Sequence, residues 1–388
     1  MTEPNPVRTK SYLTELEGLR GLAAVWVLIY HIGHLTGVEV FLFNLGYLGV
    51  DLFILLSGFL MVHQYEERKQ RQPWSNMRTV ASFWCRRFFR IAPLYYLLLI
   101  ISFLGEPFLD KCNVYIVAHS PGHYRTFPDV SASNLIAHLT FAFGAIPKFS
   151  YNTALPDWTL GLEMQFYLVF PLLMAVVLWL GYRKMAAVCV LVILSTNLFF
   201  PSFTRAFVFP SFLPLKMHLF LLGMVIAAFY HGAISRVLAL CALVLLPMMA
   251  NVEVLPYCSW FTDDCDALLA LILFLAICSM RPRLPVKLLQ ALLNSRPLQR
   301  LGDISYSIYL VHLLIAPMLV AFLLHFQTLA LLPTLPRYLL FATAILAEVL
   351  VVSQVLYRFI ERPGIAMGKW LIARISRSST PAVAPVGP

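Results

Sequence analysis

Two ionisable side chains, Arg20 and His31, lie eleven residues apart in one apolar run, ELEGLRGLAAVWVLIYHIGHL at residues 15–35. At about 100° per residue, eleven residues return to within roughly 20° of the same helix face and advance roughly 16 Å along its axis. Ionisable groups inside a spanning helix usually face the protein interior or a watery cavity. A cation and an imidazole on one face therefore predict the two ends of a binding channel.

A second group of candidates is an arginine cluster and a carboxylate. Arg87 and Arg90 in RRFFR are three residues apart, so they lie near one another on a helix. Arginine clusters bind phosphate bidentately, which favours an anionic cytoplasmic ligand, although anchoring to lipid head groups is the alternative. Glu163 in WTLGLEMQFY lies in an apolar segment and needs either a partner on another helix or a wet cavity.

Other polar groups within apolar segments have open roles. Ser305, Tyr309 and His312 in SYSIYLVH share one helix face, where a buried, hydrogen-bonded histidine is slightly favoured over a reactive one. Asp51 is left open. Glu348 is a functional candidate by default, with an ion pair to another helix as the alternative. No metal site is predicted, because no cluster of cysteines and histidines has the spacing of metal ligands.

The elements that must position these residues are membrane helices. Of the 388 residues, 60% are hydrophobic and 12% are charged, which predicts an all-α, polytopic integral membrane bundle. A shorter apolar segment at 134–146 suits a re-entrant or interfacial helix. Ten spans are predicted, at about 15–36, 46–65, 91–106, 158–180, 185–200, 214–230, 235–250, 266–280, 304–325 and 337–359.

The distribution of lysine and arginine sets the topology. With ten spans, most of these residues fall in segments on the side of the N-terminus, which predicts that both termini are cytoplasmic. The formal charge of +10 is thereby explained without nucleic-acid binding.

The first span is expected to be retained rather than cleaved. The predicted divisions are a cytoplasmic segment at 1–14, a membrane domain at 15–363 and a largely disordered cytoplasmic tail at 364–388. Cys258 and Cys265 share a predicted outer loop, and would pair if that loop faces an oxidising compartment.

Several motifs in order along nearly the whole chain resemble the acyltransferase-3 family of polytopic membrane O-acyltransferases. Each motif is modest alone, but their order and spacing make the combination specific. The motifs are LEGLRGLAAVWVLIYH, GYLGVDLFILLSGFL, FWCRRFFRIAPLYY, NLIAHLTF, LPDWTLGLEMQFYLVFP, ISYSIYLVH and the closing ERP at residues 361–363.

The resemblance implies a reaction. An acyl group, with acetyl expected, would pass from cytoplasmic acyl-coenzyme A to a hydroxyl of an envelope carbohydrate such as O-antigen, exopolysaccharide or another cell-surface glycan. Acyl-coenzyme A is then a substrate, and no permanently bound cofactor is expected. The acceptor would be a glycan or a lipid-linked glycan, and the location the inner cell membrane, in contact with its lipids.

The family pattern also implies residue roles. His31 would be the general base, Arg20, Arg87 and Arg90 would hold coenzyme A phosphates, and Glu163 would orient His31 or the acceptor. The competing interpretation is a transporter or flippase for an envelope intermediate. The lack of an internal repeat argues against that alternative.

Overall fold

The computed structural model describes residues 13–38, 44–120, 129–248, 268–274 and 284–378, which are helical and contain no strand. Short four-residue helices at Pro201–Thr204 and Gln327–Ala330 lie between the main elements. The main helices are α1 Thr14–Thr36, α2 Leu48–Arg68, α3 Met77–His119, α4 Ala132–Leu139, α5 Trp158–Phe199, α6 Leu213–Tyr230, α7 Arg236–Leu245, α8 Leu284–Leu293, α9 Arg296–Asp303, α10 Ser305–Leu324, α11 Thr334–Leu356 and α12 Arg362–Ser378.

Within these ranges, seven helices are long and apolar enough to cross a membrane, which confirms an all-α, multi-pass membrane protein. Helix α5 contains two of the predicted spans, and non-helical backbone at Gly181 divides it between them. Of the predicted span 235–250 only the ten-residue α7 is a regular helix. Of the span 266–280 only 268–274, which is helical, is described. The number ten and the cytoplasmic position of both termini stay predictions.

Helix α1 lies at the centre of the bundle and packs against α2, α9 and α10. Its buried side comprises residues such as Leu19, Ala23 and Leu28, none more than 1% exposed. At its first turns, the backbone of Glu17 lies so close to Gly302 of α9 that a side chain there would clash. The segment before α10, predicted as an inner loop because of its charges, therefore folds as two helices beneath the start of α1.

Helices α2 and α6 form the closest helix pair of the bundle. A Cβ added at Gly58 would lie 2.2 Å from the carbonyl oxygen of Phe220, and one added at Gly223 would lie 2.0 Å from that of Leu55. Small residues permit such close approach of membrane helices. Near the start of both helices, Lys216 Nζ lies 3.1 Å from Asp51 Oδ1, so an ion pair accounts for the carboxylate that the sequence left open.

The region after the third predicted span differs from the expectation in its boundaries. The span 91–106 is the middle of the 43-residue α3, which continues through Pro93 and Pro107. The apolar run ends where Glu106 and Asp110 begin a more polar stretch, yet the backbone stays helical to His119.

The segment 134–146 forms the eight-residue α4 and a 3₁₀ turn at Ala142–Ala145, too short to cross, as predicted.

The C-terminal helices join without a break. A π-helical turn at Tyr357–Glu361 connects α11 to α12, and within it the backbone N–H of Arg362 donates to the carbonyl of Tyr357. Helix α12 packs on α3, where Gly364 lies against Pro93. The part of the tail at 364–378, predicted to be largely disordered, is therefore helical, because it has a partner surface that sequence alone did not reveal.

Three predictions fall on residues outside the described ranges. They are most of the N-terminal segment, the Cys258–Cys265 pairing and the final residues of the tail, at 379–388.

Candidate functional site

A cavity of about 1030 Å³ lies among α1, α2, α3, α5, α6 and α10. Its mouth is bordered by exposed polar residues at the end of α2 and just beyond it, among them Arg68, Arg71 and Gln72. The cavity collects side chains from helices that are distant in sequence. Four of the five site residues predicted from sequence line it, namely Arg20, Arg87, Arg90 and Glu163.

Arg87 is held rigidly on the cavity wall. Its Nη2 donates a 2.6 Å hydrogen bond to Gln64 Oε1 on α2. The guanidinium carbon lies 5.7 Å from the ring centre of Phe83 and 5.3 Å from that of Tyr167. Stacking on aromatic faces suits a planar guanidinium and fixes its orientation. The remaining N–H groups of this side chain are therefore presented to the cavity in a fixed direction.

Arg20 and Arg90 lie where the large cavity meets a second one of about 460 Å³. Arg20 Nη1 donates to Glu17 Oε2 at 3.3 Å. Glu361, the carboxylate of the ERP motif, lines the second cavity with Arg90 and is only 2% exposed. It accepts a 2.9 Å hydrogen bond from Ser307 Oγ. The two arginines are thus balanced by buried or half-buried carboxylates, which lowers the cost of keeping them inside the protein.

Asp303 at the end of α9 also lines the second cavity. Burial raises the pKa of its carboxyl above the ordinary value, and the negative charge of Glu17 adds to the effect, against opposing contributions from Arg20 and Arg362. Positively and negatively charged side chains therefore both line this cavity.

Glu163 is half-buried on α5 and faces the large cavity. Its Oε1 accepts hydrogen bonds from Ser57 Oγ, at 2.9 Å, and from the hydroxyl of Tyr167. Neither hydrogen bond involves His31. Ser57 of α2 is thus a hydrogen-bond donor in the cavity.

Part of the cavity wall is a barrier of three side chains that contact one another. The Thr159 hydroxyl donates to the Tyr309 hydroxyl at 2.9 Å, and the rings of Phe53 and Tyr309 lie 5.8 Å apart, edge to face. All three residues line the cavity. Sequence reasoning placed Tyr309 on a polar helix face but did not connect it to the other two.

His31 does not line the cavity but lies beyond this barrier, in contact with His312 of α10. His31 Nδ1 is 3.3 Å from His312 Nε2, and the ring of Tyr309 is 6.0 Å from that of His312. The structure thus brings together two histidines separated by 281 residues. No signal in a single sequence would have paired them.

The backbone contacts of the two rings assign their protons. A carbonyl oxygen accepts only, so His312 Nδ1, 2.6 Å from the Tyr309 carbonyl, carries hydrogen, and its Nε2 is an acceptor. His31 Nδ1 lies 2.8 Å from the Val27 carbonyl and carries hydrogen for the same reason. Among the described residues, both hydrogen-bonding contacts of His31 use Nδ1. Its Nε2 therefore keeps a lone pair able to accept a proton.

Two further glutamates, Glu361 and Glu348, differ from what was predicted of them. Glu361 was missed as a site residue, although the closing ERP motif was the signal that marked it. Glu348 was a functional candidate, but its side chain is exposed on the outer surface of α11 and lines neither cavity.

The chain has relatives among bacterial acyltransferases. A candidate peptidoglycan O-acetyltransferase of Bacillus subtilis, YrhL, is 25% identical over 342 residues, which cover 78% of this chain and 48% of that protein. The peptidoglycan O-acetyltransferase OatA of Listeria monocytogenes is 28% identical over 188 residues, covering 46% and 26%. A candidate O-acetyltransferase of Staphylococcus aureus is 27% identical over 177 residues, covering 43% and 25%.

The chain spans about half or less of the length of these relatives. No solved structure matches it. Residues 13–358, nearly the whole of the described bundle, match the family described as an acyltransferase domain. The match covers α1 through the end of α11 and includes every side chain of the large cavity. The chain therefore belongs to the acyltransferase-3 family.

Proposed function

We propose that this protein is an O-acyltransferase of the cell membrane that takes an acyl group from cytoplasmic acyl-coenzyme A. The observation that carries the proposal is the large cavity, in which Arg20, Arg87 and Arg90 converge from two helices. A polyanionic ligand is what such a group of arginines recognises, since guanidinium groups bind phosphate oxygens bidentately. The phosphates of coenzyme A would occupy this part of the cavity.

The rest of the donor would extend from the arginines toward Thr159 and Tyr309. In this arrangement the pantetheine arm follows α1, whose Arg20 and His31 are separated by roughly 16 Å along the helix axis. The thioester must pass Phe53 and Tyr309 to reach His31, so the proposal requires these side chains to move apart when the donor binds.

His31 is proposed as the general base. The acceptor hydroxyl gives its proton to His31 Nε2 while its oxygen attacks the thioester carbon. The carbon–sulfur bond then breaks, and the proton passes from His31 to the leaving thiolate, which yields the acyl ester and free coenzyme A. The Val27 carbonyl, at 2.8 Å, and His312 Nε2, at 3.3 Å, would share the Nδ1–H of His31 and so hold the ring in the tautomer that leaves its Nε2 bare.

The acceptor is proposed to be a hydroxyl of an envelope glycan. Peptidoglycan, named in the relatives from Bacillus and Listeria, is the acceptor to test first. Glu163 had two open roles, and its contacts support hydrogen bonding to a substrate in the cavity, since they do not include His31.

The first test of the proposal is donor turnover by purified protein in lipid nanodiscs, supplied with radiolabelled acetyl-coenzyme A and glycan fragments. We expect release of free coenzyme A that depends on the acceptor. His31→Ala should lower this release by about 10²–10⁴-fold, the contribution of a positioned base, without changing donor affinity. If the His31→Ala variant retains turnover, His31 is not the general base.

A binding measurement tests the arginines separately. Arg90→Gln, combined with Glu361→Gln so that no buried charge is left uncompensated, should weaken acetyl-coenzyme A binding by roughly 10-fold or more, since hydrogen bonds to charged groups contribute about 1.5–3 kcal/mol each. Arg78→Gln is the matched control, because Arg78 is exposed at the start of α3 and lines neither cavity. Equal affinity in both variants would favour an anchoring role, and transport of unmodified solute would favour the transporter.

A further inference from the structure

A group of three potential metal ligands lies at the mouth of the large cavity, away from the proposed site of chemistry. His63 and Glu67 are one turn apart on α2, and His231 directly follows α6. His63 Nδ1 and His231 Nε2 are 2.9 Å apart, and the ligand atoms of all three residues lie within 4.8 Å of one another. The two histidines are 168 residues apart, so no metal-type spacing links them in the sequence.

The distances suit a first-row transition metal. Ligand atoms at about 2.0–2.1 Å from a tetrahedral Zn²⁺ are roughly 3.3 Å from one another. The two imidazole nitrogens need to separate by only a few tenths of an ångström to reach that geometry. Glu67 is exposed on α2, so its carboxylate is free to rotate toward the two nitrogens.

The donor set also matches the chemistry. Two imidazoles and one carboxylate form a combination that Zn²⁺ uses in proteins, with further coordination positions left for water or another ligand. His231 lies outside the membrane-spanning helices.

The scaffold holds the two histidines at a fixed separation. Gly58 and Gly223 bring the backbones of α2 and α6 into direct contact, and His63 lies little more than one turn beyond Gly58. The ring of His63 stacks on Phe59, with 5.8 Å between centres, and meets Tyr230 edge to face at 5.8 Å. The nitrogens are therefore brought together by rigid elements rather than by flexible loops.

The surrounding charges are mixed. Arg68 and Arg71 border the same cavity mouth, while Glu66 on α2 forms a 2.5 Å ion pair with Lys69 and accepts a hydrogen bond from Tyr182. Negative charge at the mouth therefore comes from Glu66 and Glu67 on α2. We infer that His63, Glu67 and His231 form a site for a Zn²⁺-class divalent metal ion. The bound ion connects the C-terminal ends of α2 and α6.

Metal binding tests the inference without reference to acyl transfer. The full chain, freed of any polyhistidine tag and stripped with a chelator, is titrated with Co²⁺, whose visible absorption reports its ligands, and then with Zn²⁺ in competition. We expect one ion per chain. A wild-type protein that gives no Co²⁺ spectrum and no competed Zn²⁺ would overturn the inference.

Variants assign the ion to these ligands. His231→Ala, His63→Gln and Glu67→Gln should each weaken binding by more than the roughly 10–100-fold typical of losing an outer-shell partner. His325→Ala is the matched control, because His325 is exposed at the end of α10 and contacts Tyr115 instead. Equal affinity in His231→Ala and wild type would contradict the site.

Thermal unfolding separates ligand loss from misfolding. Zn²⁺ that binds the folded state should raise the melting temperature of the wild type and of His325→Ala with increasing concentration. The three ligand variants should melt like the metal-free wild type and should not respond to Zn²⁺. A shift that persists in all three variants would place the ion elsewhere.

Discussion

Two carboxylates of the bundle, the buried Asp157 and the half-buried Glu163, have similar partners and opposite surroundings. Asp157, 1% exposed, accepts hydrogen bonds from Tyr95 and Thr153 and lies 3.1 Å from His138 Nδ1. Glu163 likewise accepts from a tyrosine and a small hydroxyl residue, but it faces a cavity of about 1030 Å³.

The residues around Asp157 line neither described cavity, and His138 is fully buried against the ring of Phe143. Their contacts converge on Asp157 Oδ2 and fasten α4 and the following turns to α3, whereas Asp157 Oδ1 and His138 Nε2 are buried without a hydrogen-bond partner among the described residues. We refer to Tyr95, His138, Thr153 and Asp157 as the sealed network. Hydrogen-bond partners alone thus do not separate structure from function, whereas the space beside the carboxylate does.

The largest expected effect concerns the sealed network. Asp157→Ala removes the acceptor of two buried hydroxyl groups and the partner of a buried imidazole, which no water can replace. We expect a loss of about 3–5 kcal/mol of stability, the range for breaking a buried pair. Thermal unfolding in detergent measures it. An Asp157→Ala variant with the melting temperature of the wild type would mean that this region tolerates the loss of a carboxylate as well as the cavity does.

Glu163→Gln should have little effect on stability but should lower activity. The amide keeps the shape and an acceptor oxygen, and the cavity supplies water, so the melting temperature should stay within a few degrees of wild type. Acyl transfer should fall by roughly 100-fold, the lower end of the contribution of a positioned ionisable group. Initial rates at saturating donor provide the measurement. Full activity together with a large loss of stability would make Glu163 a second structural carboxylate.

The smallest effect is a matched pair of hydroxyl deletions. Ser57 and Thr153 each donate a 2.9 Å hydrogen bond to the carboxylate of their region. Thr153→Val should cost about 1–3 kcal/mol because it removes a buried donor to Asp157 and the acceptor of the Leu155 N–H, whereas Ser57→Ala should cost about 1 kcal/mol or less because water enters. The difference in melting temperature between the two variants measures how wet each region is. Equal losses would contradict the distinction.

The sequence predicted much of this arrangement, for identifiable reasons. Arg20 and His31 lie on one helix, and three arginines and Glu163 line one cavity, because ionisable residues stand out against apolar runs and usually face inward. Asp51 was also flagged in this way, and its partner Lys216 became evident only in the structure.

What sequence could not supply was proximity between helices. The contacts of His31 with His312 and of His63 with His231 depend on which helices are neighbours, and periodicity within one helix carries no such information. Helices α8, α9 and α12 were missed for a related reason. Their charged residues are typical of loops, but partners on α1 and α3 stabilise them as helices.

The π-helical turn at Tyr357–Glu361 holds one residue more than an α-helical path between α11 and α12 would need. If the same residues were wound as a continuous α-helix instead, α12 would be rotated by about 100° relative to α11. Glu361 would then turn away from Arg90 and Ser307, and Gly364 from Pro93. The π turn thus sets the rotation of α12 relative to α11, and the chain should tolerate substitutions within it far better than insertions.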